Sequence, residues 1–159
     1  VLTWGEDALR LAPAEALKSL RGQHWSRGQA AVGAVSGDCL EIEAVLPPSG
    51  GLRLRTSPDG AEHTDITYEA ATQQVVVDTR AASLDPAVER GRYTLPAGRD
   101  TGGPVRLHIF LDRSVLEVFT ADGACLAARL YPTREDSLRV ETIGKPAARE
   151  AWAMRSIWP

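Results

Sequence analysis

Hydrophobic and polar residues alternate with a period of two over most of the chain after Ala30. Leu40, Ile42, Ala44 and Leu46 are spaced by Glu41, Glu43 and Val45, and Leu52 and Leu54 by Arg53, the pattern of strands buried on one face. Pro47-Pro48-Ser49-Gly50-Gly51 reads as a loop and Ser57-Pro58-Asp59-Gly60 as a tight turn, which predicts a first hairpin here. Residues 66–68 and 74–78 follow as two more strands. Residues 79–103 read as a polar surface excursion with one short strand at 92–95. Val105, Leu107, Ile109 and Leu111 then alternate with Arg106, His108 and Phe110, and Asp112-Arg113-Ser114 forms the bend into residues 115–119. The turn at Ala121-Asp122-Gly123 leads to strands at 125–131 and 137–142, and to a last strand through Trp152, Met154, Ser156 and Trp158. Only residues 13–21 depart from the pattern. Pro13 at a first helical position, Leu17 and Leu20 on one face and Gly22 as a stop predict one short helix.

About ten short strands in 159 residues fit one all-β domain, a two-sheet antiparallel β-sandwich of the lectin and glucanase (jelly-roll) type with a short N-terminal linker helix. Residues 1–24 are assigned to the linker and 25–159 to the sandwich. No fixed-period repeat is visible, which argues against a propeller or solenoid within these residues. With 43% hydrophobic and 25% charged residues the chain can bury a core. Eighteen basic against 21 acidic residues leave a net charge of −3, so neither nucleic acid nor a membrane surface is expected as a partner. The N-terminus lacks the basic and apolar regions of a secretion signal, and a first residue other than Met is expected of a processed or excised piece. Cys39 and Cys125 are too few for a thiolate zinc site or a disulfide framework, and read as buried thiols or at most one bridge.

The candidate chemistry is sparse. Glu41 and Glu43 share one strand face about 6.5 to 7 Å apart, near the separation of a glycosidase carboxylate pair. The simpler reading is the exposed polar face of an amphipathic strand, because no proton donor with a raised pKa accompanies them. His24, His63 and His108 have no diagnostic ligand spacing, so no metal or other cofactor is expected. His108 is placed on solvent or on the second face of its sheet, and His63 with Glu62 and Asp65 in an ordinary loop or strand-edge cluster. Ser114 and Ser137 lack a nucleophile elbow. A sugar site needs only a few fixed polar groups and one apolar ring face. Asp112, Arg113 and Glu117 supply the polar groups in one hairpin, although Asp at a bend and an Arg113–Glu117 pair would also serve the turn itself. Trp4, Trp25, Trp152 and Trp158 lie toward the chain ends, where Trp commonly seals a sandwich, and Trp152 and Trp158 are placed on one strand face.

Four segments in order resemble the C-terminal β-sandwich domain of glycoside hydrolase family 32, the invertases, inulinases, levanases and sucrose-6-phosphate hydrolases. Residues 13–21 are similar to the P-x-x-E-L-x-x-L-R segment by which those enzymes enter the sandwich, with Glu15 one place early. Ile66-Thr67-Tyr68 and Val76-Val77-Asp78-Thr79-Arg80-Ala81-Ala82-Ser83 are similar to a strand pair ending V-D-R-x-x-S. Residues 107–119, with Asp122-Gly123 and Tyr131-Pro132-Thr133, resemble L-x-I-F-x-D-R-S-x-x-E-V-F…D-G…Y-P-T, and residues 152–158 the family's closing strand. The resemblance implies a non-catalytic module that stabilises a five-bladed catalytic propeller of the same polypeptide and contacts fructan or fructose. A free-standing fructan-binding module is the alternative. The propeller's W-x-N-D-P-N-G, R-D-P and E-C motifs do not occur here. Removing the propeller should leave Trp4, Leu9, Leu11, Leu17 and Leu20 only partly covered, so the N-terminal segment is expected to fold back onto the sandwich or to mediate a homodimer.

Overall fold

A computed structural model describes residues 1–5, 9–26, 35–98, 103–144 and 148–156. The chain enters through a small hairpin, β1 (Leu2–Trp4) and β2 (Leu9–Leu11), and one 3-10 helix, Glu15–Leu20. Then come β3 (Arg21–Trp25), β4 (Cys39–Leu46), β5 (Gly51–Thr56), β6 (Thr64–Glu69), β7 (Gln74–Asp78) and β8 (Arg92–Pro96). The remaining strands are β9 (Val105–Asp112), β10 (Val115–Thr120), β11 (Cys125–Arg129), β12 (Arg139–Ile143) and β13 (Ala148–Met154). They form two antiparallel sheets, in the order β11-β10-β9-β4-β13-β3 and β12-β5-β6-β7-β8. Residues 21–24 of the edge strand β3 fall in the stretch expected to be linker, and Trp25 in the stretch expected to be sandwich.

Alternation explains the sandwich. Leu40, Ile42, Leu107, Ile109, Leu116 and Val118 project inward from the six-stranded sheet. They meet Leu52, Leu54, Ile66, Tyr68, Val75, Val77 and Val140 from the five-stranded sheet in one buried cluster, the expected packing of two half-apolar sheets.

The first hairpin differs from expectation. The loop after β4 does not fold β5 back onto it: β4 pairs with β9 and β13, and β5 with β6 and β12. The Pro47 loop therefore carries the chain from one sheet to the other, and the hairpin closes between β5 and β6. Gly51 permits that crossing, since a Cβ there would lie 2.5 Å from the Ile66 carbonyl oxygen. The short helix forms as a 3-10 turn with no buried residue and no side-chain N-cap, so its own contacts do little to hold it. The last strand ends at Met154. Ser156 lies beyond it, and Trp158 lies outside the described residues, so the shared face of Trp152 and Trp158 does too.

Candidate functional site

Register places Trp152, Glu41 and Phe110 side by side across β13, β4 and β9 on the outer face of the six-stranded sheet, with Glu150, Glu43 and His108 in the next row. Glu43 is half exposed, but Glu41 is buried, which corrects the expectation of an exposed polar face for both. What covers it is Arg21, delivered by the first residue of β3. Its guanidinium donates from Nε to Glu41 Oε2 at 2.8 Å and from Nη2 to Glu41 Oε1 at 2.6 Å, and reaches Glu43 Oε1 at 3.0 Å. The same guanidinium lies 3.6 Å over the Trp152 ring, a cation–π contact, and His24 stacks on Trp152 at 4.8 Å. Trp152 thus packs outside the sheet under Arg21 and does not seal the core.

His108 takes the second face, as expected, and its Nε2 lies 2.7 Å from Glu41 Oε1. Because a carboxylate only accepts, that nitrogen carries the proton. Burial pushes the Glu41 carboxyl up, but the hydrogen bonds from Arg21 and His108 outweigh it and hold the group below the ordinary carboxylate range. Glu41, Glu43 and His108 bring ligand atoms within 4.8 Å of one another. A cation would have to displace Arg21, which already occupies both carboxylates.

The N-terminal hairpin lies along this face. Leu11 N donates to Gly123 O at 2.9 Å. Gly123 has φ of 84°, and a Cβ there would come within 2.9 Å of the Arg10 backbone, so glycine is required by both conformation and approach. Between hairpin and sheet runs a cleft of about 550 Å³, lined among others by Thr3, Arg10, Glu43, His108, Phe119 and Glu150. Leu17 and Leu20 are half-buried, whereas Leu2, Trp4, Leu9 and Leu11 remain exposed, Trp4 by 78%.

Asp112, Arg113 and Glu117 come from the β9–β10 hairpin, with Asp112 and Glu117 on the same outer face. The expected Arg113–Glu117 pair does not form: among the described residues no ion pair or hydrogen bond joins them. Asp112 does not brace the turn either, since its Oδ1 accepts from the Cys39 thiol at 3.5 Å. The turn is instead fixed by backbone. Arg113 sits in the left-handed region at φ 52°, its N–H donating to Asp38 O at 2.6 Å. Cys39 and Cys125 are both free thiols, pushed up in pKa by burial.

Glu62 is the residue that sequence reasoning most undervalued. Far from an ordinary loop acid, it is fully buried and accepts from the N–H groups of Leu84, Thr133 and Arg134 and from the hydroxyls of Thr133 and Ser137. Burial opposes ionisation, yet these bonds bring its pKa down to about 2. One carboxylate so ties the start of β6 to the loops before β8 and before β12.

Comparison with known proteins follows the same outline. The chain is 36% identical to levanase from Bacillus subtilis over 97 residues, which is 55% of this chain and 14% of that one. It is 34% identical to an extracellular exo-inulinase of Aspergillus ficuum over 103 residues, 62% of this chain and 19% of that one. Among solved structures it superposes on sucrose-6-phosphate hydrolase from Lactobacillus gasseri with a TM-score of 0.82 at 23% identity, covering 98% of this chain and 33% of that one. The exo-inulinase from Aspergillus awamori gives 0.78 at 24% identity, covering 94% and 33%. At such identities these structures establish the fold, a β-sandwich that accounts for a third of a longer enzyme. Residues 15–158 match the profile described as glycosyl hydrolases family 32 C terminal, and the chain belongs to that family.

Proposed function

We propose that the chain is the non-catalytic accessory sandwich of a family 32 β-fructosidase, packing against a catalytic propeller of the same polypeptide and contacting fructan through Asp112, Arg113 and Glu117. The observation that carries this reading is the N-terminal hairpin. It is anchored to the sandwich at Gly123, yet it leaves Leu2, Trp4, Leu9 and Leu11 between 42% and 78% exposed, an apolar surface of the kind that marks an interface. Chemistry supports the non-catalytic part. Each carboxyl group whose pKa is displaced among the described residues, Glu41, Asp59, Glu62, Asp78 and Asp136, is displaced downward, opposite to the need of a general acid.

Mixing the chain with a family 32 catalytic domain deprived of its own sandwich tests the reading. The two should co-elute, and the catalytic domain should survive a higher temperature, whereas Trp4→Asp combined with Leu11→Asp should abolish both effects. Absence of association, or fructose release from sucrose, inulin or levan by the chain alone that persists through repurification, would overturn it. A second reading, a free-standing fructan-binding module, is favoured by the exposed Arg113 guanidinium, which is without an ion pair among the described residues. Fructan binding by the chain together with failure to associate would select it.

A further inference from the structure

We propose that Tyr131 and Arg129 complete the fructan site at the β9–β10 bend, the Tyr131 ring serving as the platform on which a furanose ring is laid. The inference rests on the fructan contact proposed above and assigns the apolar surface that Asp112, Arg113 and Glu117 lack. Arg129 pairs with Val115, and Val115 with Asp112, so Arg129 and Asp112 stand in one row on the outer face of the sheet, with Glu117 one row away on the same face. The next segment passes beside the bend, because Leu130 N donates to Ser114 O at 2.8 Å. Tyr131 thus follows directly on the residue bonded to Ser114, while Arg113, which precedes Ser114, is held by its own N–H on Asp38 O.

Tyr131 is 46% exposed and its ring is held in place, its hydroxyl accepting from Arg129 Nε at 3.1 Å while the guanidinium carbon lies 5.7 Å from the ring centroid. A fixed, solvent-facing aromatic ring on the same hairpin as exposed hydrogen-bonding groups costs little conformational entropy on binding and suits a sugar, which has an apolar C–H face and hydroxyl edges. Charge selects the ligand class. Two carboxylates, Asp112 and Glu117, balance two guanidiniums, Arg113 and Arg129, so the patch has no net charge with which to prefer a phosphate or a cation. A neutral, hydroxyl-rich ligand can use both the donors and the acceptors.

Titration of the 159-residue chain with short levan and inulin oligosaccharides, followed by calorimetry and by amide chemical shifts, tests the assignment. The unaltered chain should bind, with shifts centred on residues 112–117 and 129–131. Tyr131→Ala should weaken binding by about tenfold or more, and Tyr131→Phe should retain most of it. Tyr93→Ala, which removes an exposed tyrosine on the other sheet, should leave affinity unchanged. Melting temperatures of all variants guard against loss of folding. Binding that survives Tyr131→Ala in a folded protein overturns the platform and spares the fructan contact. No binding by the unaltered chain, or a preference for inositol hexakisphosphate over the oligosaccharides, overturns both.

Discussion

Glu41 and Glu62 are both buried, with 1% and 0% of their surface exposed, and both are held ionised, by different means. Glu41 lies on a sheet face and is neutralised by a guanidinium arriving from β3, with an imidazole on its other side. Glu62 lies where loops meet and has, among the described residues, no cation as a hydrogen-bond donor, only backbone amides and hydroxyls. The first arrangement depends mainly on one guanidinium and can be opened at a single point. The second is spread over three segments and closes only when all of them are in place. A charge pair suits a junction, and a many-donor cage suits a permanent weld.

The comparison is broken most severely by Glu62→Leu. Several buried donors lose their acceptor at about 1 to 3 kcal/mol each, so urea unfolding should show a loss of about 4 kcal/mol or more. Arg21→Met should cost less, about 3 kcal/mol, by leaving Glu41 buried beside His108 alone. Adding Glu41→Leu should restore most of that stability without restoring the hold on the linker. Proteolysis reads the hold directly, because the chain has only two lysines, Lys18 and Lys145, and Lys145 precedes Pro146. A lysine-specific protease should clip after Lys18 faster in the double variant than in the parent. Equal rates would show that Arg155, which bonds the carbonyls of Ser19 and Leu20, suffices to hold the turn.

Acid sharpens the contrast further. The folded pKa of Glu62 is about 2 against an ordinary 4.5, so its contribution is fully present above about pH 4.5 and is lost as the pH falls toward 2. Glu41 is shifted in the same direction and adds in the same sense. Unfolding free energy measured across that window should decline steeply in the parent and less steeply in Glu62→Gln. A parallel decline in the two would remove Glu62 as the acid-sensitive weld. The smallest effect belongs to Arg113→Ala, an exposed and unpaired side chain whose loss should alter stability by no more than about 0.5 kcal/mol. A large loss would return Arg113 to a structural role.

The sandwich was legible because alternation is a local signal. Leu40 through Leu46 and Val105 through Leu111 announce their strands without knowledge of their neighbours. The environment of Glu41 was not legible by the same rule, since alternation assigns Glu41 and Glu43 to one face and cannot say that Arg21 and Trp152, 20 and 111 residues away, bury the first and leave the second half exposed. The Arg that ends the linker motif was the available signal. Glu62 failed similarly: its acceptor role depends on Thr133 and Ser137, and only the Tyr131-Pro132-Thr133 motif hinted that this loop had a fixed task. The first hairpin was misassigned because loop composition shows where the chain turns, not which sheet it turns toward.

In the six-stranded sheet β3 pairs along its backbone with β13, which lies between it and β4, and reaches β4 only through the Arg21 side chain among the described residues. On a ribosome β4 must wait for β9, about 70 residues later, and β3 must wait until Met154 has emerged. Pairings between such distant segments close slowly and leave edges unpaired in the interval. The strand made last thus supplies the backbone partner of β3, and the entrance of the domain gains that fastening, beyond its bond to Gly123, only after translation of the sandwich is nearly complete.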